Sequence, residues 1–253
     1  MTEMTLYHWL VVAWIALAVA TFIALFFVTA PYGRFTRSGW GPRISARLGW
    51  ILMETPVLIT FLALYGLSDR RSSPVSLVLV ALWLLHYVHR SLIYPFRLRS
   101  SRPSITLSVV AMGAVFNVGN GYLNGRYLFS LGPELPLSWL MDPRFILGVL
   151  LFFAGYALNQ YSDRVLIELR SEGESAYKIP SGGAYRLVSC PNYLGEMMEW
   201  AGWALLCWNL GALAFFIWTV ANLAPRAIHT HRWYKETFPD YPERRKALLP
   251  FVI

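Results

Sequence analysis

Long apolar stretches separated by short basic ones dominate the chain. Seven of them predict membrane-spanning helices, at roughly 6–30, 49–68, 75–96, 104–131, 143–163, 190–207 and 210–225. The first, from Leu6 to Ala30, is too long for a leader-peptide core and has no basic segment before it, so it reads as a helix. The fourth carries Gly113, Gly119, Gly121 and Gly125, which suits close helix packing or a break beside a ligand. The sixth breaks the apolar pattern. Pro191 fits the first turn of a helix, and after it Asn192, Glu196 and Glu199 fall at i, i+4 and i+7 on one face. Two carboxylates and an amide on one face are costly in lipid, so this face is expected to meet a buried polar site. Gly195, between them, leaves room for a ligand or a neighbouring backbone.

Basic residues follow alternate spans. Arg34, Arg37, Arg43 and Arg47 follow the first; Arg97, Arg99 and Arg102 the third; Arg164, Arg170, Lys178 and Arg186 the fifth; and Arg226, Arg232, Lys235, Arg244, Arg245 and Lys246 the seventh. By the positive-inside rule those ends are cytoplasmic, with the N-terminus outside and the C-terminus inside; for a bacterial inner membrane that means a periplasmic N-terminus. A composition 56% hydrophobic and 16% aromatic agrees with a polytopic membrane protein. The net charge of +8 fits loops beside anionic lipid, and equally a pocket for a phosphorylated ligand. The basic residues form no nucleic-acid recognition module, so nucleic acid is not an expected partner. Cys190 and Cys207 are too few for a disulfide scaffold, and no spacing suggests a metal site. Without a repeat or low-complexity tract, the chain reads as one all-α membrane domain, 1–253.

Polar residues recur inside or beside the spans. Glu54 lies before Pro56 in the second, as a ligand-facing carboxyl or a partner of the proline kink. The third holds His86, Tyr87, His89, Arg90 and Tyr94, with Tyr87, Arg90 and Tyr94 sharing a face; an interfacial aromatic and basic belt is the other reading, stronger for Tyr94 than for Tyr87. Asn159, Asp163 and Arg170 follow at i, i+4 and i+11, then a loop at Tyr177–Gly183. A helix over 226–236 clusters Arg226, His229, Thr230, Trp233 and Tyr234, residue types suited to phosphate and ring contacts. Neither GxGxxG nor GxxxxGK[ST] is present. The residues alone therefore predict a cytoplasm-facing intramembrane site for a polar, anionic cofactor and an apolar substrate.

The order of motifs resembles the membrane-bound steroid 5α-reductase family. It runs from Glu54 before Pro56 through His86-Tyr87-Val88-His89-Arg90, Gly119-Asn120-Gly121, Asn159, Ser162-Asp163 and Tyr177-Lys178-Ile179-Pro180. It continues with Asn192-Tyr193-Leu194-Gly195-Glu196, Glu199-Trp200, Arg226-Ala227, His231-Arg232-Trp233-Tyr234, Asp240-Tyr241-Pro242 and Arg245-Lys246-Ala247-Leu248-Leu249-Pro250-Phe251. The resemblance implies seven transmembrane helices, with loops closing over an NADPH site, and reduction of the Δ4 double bond of 3-oxo steroids. It implies Glu54 and Tyr87 at the substrate's 3-keto group, acting as a donor pair with Glu54 protonated. Around NADPH it implies Arg90, Arg102, Asn159, Asp163, Arg170, Tyr177, Asn192, Glu196, Arg226 and Tyr234, with 150–253 mainly cofactor-binding. A lipophilic steroid, the bilayer and no other subunit are the expected partners. Met53 stands where animal members carry glutamine, Thr230 interrupts a run of histidines, and 95–101 is about one residue longer. Enoyl-CoA or polyprenol reductases of the same superfamily, isoprenylcysteine methyltransferases using S-adenosylmethionine, and a transporter are the competing readings.

Overall fold

The computed structural model describes residues 1–98, 104–169 and 177–253. Its helices are α1 (Glu3–Phe27), α2 (Ala46–Gly66), α3 (Pro74–Val88), α4 (Tyr94–Arg97), α5 (Leu107–Arg126), α6 (Pro143–Glu168), α7 (Pro191–Cys207) and α8 (Leu210–Thr237). A π-type turn, His89–Ile93, joins α3 to α4. The starts follow capping chemistry: Ser45 accepts from Leu48 N–H, Asp142 from Arg144 N–H with Pro143 in the first turn, and Asn209 from Ala212 N–H. One small departure from an all-helical chain is a ribbon of β1 (Arg43–Ser45) and β2 (Ser104–Thr106), antiparallel with Ile44 opposite Ile105. Because β1 runs into α2 and β2 into α5, the ribbon starts those two helices side by side.

Five helical stretches among the described residues are long and apolar enough to cross a membrane: Glu3–Phe27, Ala46–Gly66, Pro74–Arg97, Pro143–Glu168 and Leu210–Thr237. The fourth and sixth predicted spans, now α5 and α7, are not among them. The 17 residues of α7 extend only about 25 Å, and α5 carries three asparagines as well as its glycines. Both pack against neighbours, α5 on α2 and α7 between α6 and α8, although α5 leaves Met112, Val115 and Val118 exposed. The predicted seventh span and the separate helix after it are one continuous α8, which runs through Pro225. A proline inside a helix forfeits one backbone bond, and packing of the buried Pro225 and Arg226 carries the helix past it.

Trp83 of α3 sits at the centre of the core, stacked on Phe61 at 4.3 Å and close to Trp203 at 4.9 Å and Trp200 at 5.6 Å. By contrast, α1 buries only Tyr7, Val11 and Ala18, half-buries Trp14, Ile15 and Phe22 beside them, and leaves much of its apolar surface exposed. The closest approach is between α6 and α7. A Cβ on Gly155 would lie 2.3 Å from the backbone N of Glu199, and one on Gly195 would lie 2.5 Å from that of Asn159. Gly195 is therefore where a neighbouring backbone approaches, the second of the two roles open to it.

Candidate active site

The site begins on one face of α5. Asn117, Asn120 and Asn124 fall at i, i+3 and i+7, and all three are buried. Asn117 Nδ2 donates to the Met53 carbonyl at 2.7 Å and to Glu54 Oε2 at 3.2 Å. One turn along, Asn120 Nδ2 donates to the Tyr87 hydroxyl at 3.3 Å. Adjacent rungs of one helix thus hold the carboxyl of α2 and the phenol of α3. The Tyr87 ring cannot swing away, because Trp83, His86 and Trp200 pack around it at 4.9, 4.9 and 5.6 Å. Behind it His86 Nδ1 lies 2.8 Å from Glu199 Oε1, a pair buried between α3 and α7.

A second polar layer joins the π-type turn after α3 to α6 and α7. Arg90 Nη1 is 3.5 Å from Asp163 Oδ2 and its Nη2 is 3.9 Å from Glu196 Oε2, with the guanidinium over Trp50 at 4.4 Å and Tyr94 at 4.8 Å. Asn192 Nδ2 donates to Asp163 Oδ1 at 3.0 Å. Asn159 Nδ2 donates to the Asn192 carbonyl at 3.0 Å and reaches Glu196 Oε2 at 3.5 Å. These groups come within reach of one another only because Gly155 and Gly195 let the two backbones touch.

Beyond this layer a cavity is lined by Arg34, Tyr94, Asp163, Tyr177, Lys178 and Tyr234. Arg34, from the loop after α1, sits in an aromatic box: Trp233 and Tyr234 each lie 4.6 Å from its guanidinium carbon and Tyr177 5.1 Å. Its Nη2 donates to Tyr234 at 3.2 Å, while its buried Nη1 has no hydrogen-bond partner among the described residues. Such an atom is a standing demand for an acceptor. The C-terminal segment is fastened to the chain that leads into α7. Ser189 N–H donates to the Lys246 carbonyl at 2.8 Å and Lys246 N–H to the Leu187 carbonyl at 2.9 Å. The buried Arg245 donates to the Pro180 carbonyl at 3.1 Å, and Ser189 Oγ lies 2.6 Å from both His231 Nδ1 and the Tyr241 hydroxyl. Burial pushes the Tyr241 phenol above its ordinary range, so it stays a neutral hydrogen-bonding group.

A family model described as 3-oxo-5-alpha-steroid 4-dehydrogenase matches residues 103–253. The steroid 5-alpha-reductase DET2 of Gossypium hirsutum is 41% identical over 99% of this chain and 99% of its own. This chain belongs to that family. Other family members with similar sequences are the 3-oxo-5-alpha-steroid 4-dehydrogenase 1 of Bos taurus, 39% identical over 94% of this chain and 93% of its own, and the 3-oxo-5-alpha-steroid 4-dehydrogenase 2 of Sus scrofa, 42% identical over 91% of each. These relatives are from a plant and two mammals and give no support to the expectation of a bacterial member in a bacterial inner membrane.

Of the residues named by the family resemblance, Glu54 of α2 and Tyr87 of α3 are both held by asparagines of α5, Arg90, Asn159, Asp163, Asn192 and Glu196 lie in one polar layer, and Tyr177 and Tyr234 line the cavity. Arg226 stands apart. Its Nε donates to the Tyr193 hydroxyl at 3.0 Å, Nη1 to the Ala30 carbonyl at 3.3 Å and Nη2 to the Tyr32 carbonyl at 3.1 Å, with its plane over the Tyr32 ring at 3.5 Å. It clamps the 30–35 loop to α8, and so acts first on the loop that carries Arg34. Arg102 and Arg170 lie outside the described residues. Reading the sequence missed Arg34, whose partners are some 140 to 200 residues away, and the asparagines of α5, whose helical spacing was a usable signal.

Proposed function

We propose that this protein catalyses NADPH-dependent reduction of the Δ4 double bond of 3-oxo-Δ4 steroids, with hydride added at C5 while Tyr87 and Glu54 polarise the 3-keto group. The observation that carries this reading is the tethering of both groups by adjacent asparagines of one helix, in a chain of this family. An enone accepts hydride at its β-carbon only as the C4=C5 electron pair moves toward the carbonyl oxygen. Tyr87 and a protonated Glu54 donate hydrogen bonds to that oxygen, and the bonds strengthen as the enolate charge builds. C4 then takes up a proton. Asn117 occupies Glu54 Oε2 and leaves the other carboxyl oxygen to carry the donated proton. The aromatic wall of Trp83 and Trp200 keeps water from these bonds.

The residues present suit a phosphorylated dinucleotide. The orphaned Arg34 Nη1 is a ready donor to a phosphate, and rings of Tyr177 and Tyr234 line the same cavity. Asn159, Asp163, Asn192, Glu196 and Arg90 form the adjoining polar layer, with Arg102 and Arg170 assigned to the cofactor by family resemblance and Arg226 supporting the Arg34 loop. NADPH, when bound, supplies the hydride. The chain works as one membrane domain, 1–253, with 150–253 mainly holding the cofactor, and as a monomer. Seven helices enter the bilayer, α5 and α7 packed against their neighbours. The N-terminus is outside and the C-terminus cytoplasmic, because Arg34, Tyr177, Lys178 and Tyr234 share the cavity end with the basic loops. The steroid enters from the bilayer.

The test is steroid-dependent NADPH consumption by the purified protein, with the product identified by mass and stereochemistry. A 3-oxo-Δ4 steroid is expected to support turnover and the corresponding 5α-reduced steroid none. Turnover of an enoyl thioester or a polyprenol-type enone, without any of a 3-oxo-Δ4 steroid, would replace the proposed substrate class.

A further inference from the structure

We infer that Asn120 and Asn124 are positioning residues that dictate which way the Tyr87 hydroxyl points its proton. The inference rests on the proposed role of Tyr87 as donor to the substrate carbonyl. Its starting point is Trp203, whose indole N–H can only donate. Trp203 Nε1 lies 2.9 Å from Asn124 Oδ1, so that atom is fixed as the carbonyl oxygen of Asn124. The Asn124 amide nitrogen then faces Asn120 Oδ1 at 3.0 Å, and donates as well to the Asn120 backbone carbonyl at 3.0 Å. With its own oxygen so used, Asn120 has only N–H to offer Tyr87, at 3.3 Å. Each assignment follows from the one before, and all trace back to a group with no choice.

The chemical consequence lies at the phenol oxygen. Among the described residues, Tyr87 makes this one hydrogen bond, and makes it as acceptor. A donor at that position turns the hydroxyl proton away from α5. An acceptor there would capture the proton and leave the substrate carbonyl facing only lone pairs. The ring is held by its aromatic neighbours, so rotation about the Cζ–O bond is the freedom that remains. Asn120 is 1% exposed and Asn124 and Trp203 are 0% exposed, so water does not compete for these partners. Two buried carboxamides and an indole thereby keep the Tyr87 proton on offer.

The experiment reverses the polarity with little change in shape. Asn120→Asp keeps the volume and, as a carboxylate, offers Tyr87 only acceptors. Asn120→Ala removes the partner and leaves the hydroxyl free to turn. Both are assayed for kcat and for NADPH affinity, alone and with Tyr87→Phe. Asn120→Asp is expected to lower kcat about 10²-fold or more, the usual cost of one lost donor to a developing oxyanion. Asn120→Ala is expected to lose no more than about 10-fold, and both should keep wild-type NADPH affinity. In the Tyr87→Phe background the two substitutions should become equal, because no hydroxyl remains to be aimed. Asn124→Asp gives the same reading from one rung away: the Asn120 amide turns toward the new carboxylate, its oxygen then faces Tyr87, and kcat falls as in Asn120→Asp. If Asn120→Asp does not accumulate as folded protein, Asn124→Asp decides alone. Asn120→Ala as slow as Asn120→Asp, a difference that persists with Tyr87→Phe, or wild-type kcat in Asn124→Asp would overturn the inference. Wild-type kcat in Tyr87→Phe alone would instead overturn the donor role of Tyr87 itself.

Discussion

Gly195→Ala adds one methyl group at the closest point between α6 and α7. Its Cβ would lie 2.5 Å from Asn159 N and 2.7 Å from the Gly155 carbonyl oxygen, both backbone atoms that no rotamer change can move. Ordinary contact begins at 3.4 Å, so the two helices must part by about 0.9 Å, the difference between 3.4 and 2.5. The bond from Asn159 to the Asn192 carbonyl, now 3.0 Å, would open to about 3.9 Å, and the reach to Glu196, now 3.5 Å, to about 4.4 Å, both beyond hydrogen-bond range. Overpacking of this kind costs about 1–3 kcal/mol. NADPH affinity should fall together with thermal stability, because the same displacement pulls the polar layer apart. Gly66→Ala is the control: a Cβ there meets nothing within 4 Å, and the substitution should change neither quantity. The measurements are NADPH titration and thermal unfolding of the purified variants in one detergent. A Gly195→Ala protein with wild-type affinity and midpoint would show that the contact between the helices does not hold the cofactor side in register.

Three further outcomes are expected. Tyr87→Phe should lower kcat about 10²–10³-fold with NADPH affinity unchanged, and Glu54→Gln should retain more activity than Glu54→Ala, since an amide can still donate; equal losses in the two Glu54 variants would argue against a donating carboxyl. Arg34→Ala should weaken NADPH binding about 10- to 100-fold, as expected for a lost hydrogen bond to a charged group, with Arg34→Lys in between; a wild-type dissociation constant in Arg34→Ala would remove Arg34 from the cofactor site. Asp142, the α6 cap, is held down to about 2 from an ordinary 3.8 by its hydrogen bond to Arg144. A depressed carboxylate stabilises the fold above its unfolded pKa and loses that contribution as pH falls through its folded one. The thermal midpoints of wild type and Asp142→Asn should therefore differ most above about pH 4 and converge toward pH 2, and a gap that widens on acidification would contradict the cap.

Most helices could be read from the sequence because apolar runs and their breaks are local. The runs starting near residues 49, 75, 143 and 190 begin within a few residues of α2, α3, α6 and α7. Continuation of α8 through Pro225 was not readable, because the packing that carries it comes from distant segments. The shared face of Asn192 and Glu196 was visible as helical spacing, and their partners Asn159 and Asp163 as another spacing, yet the contact between the two faces depends on the paired glycines. The family resemblance assigns Arg226 to the cofactor, and in the structure its donors go to Ala30, Tyr32 and Tyr193. No local pattern announces a clamp on a loop almost two hundred positions earlier. The asparagines of α5 were overlooked for a different reason: a glycine-rich helix draws attention to its packing, and small amides look like part of that packing until their partners are known.

The pairing of residues 187–190 with 246–247 fastens the entry to α7 onto the segment that follows α8. Ser189 and Lys246, 57 positions apart, are thereby held as one unit. A proteolytic cut between Thr237 and Arg245 would break no helix, yet the entry to α7 would then keep its partner by affinity alone and no longer by a covalent tether.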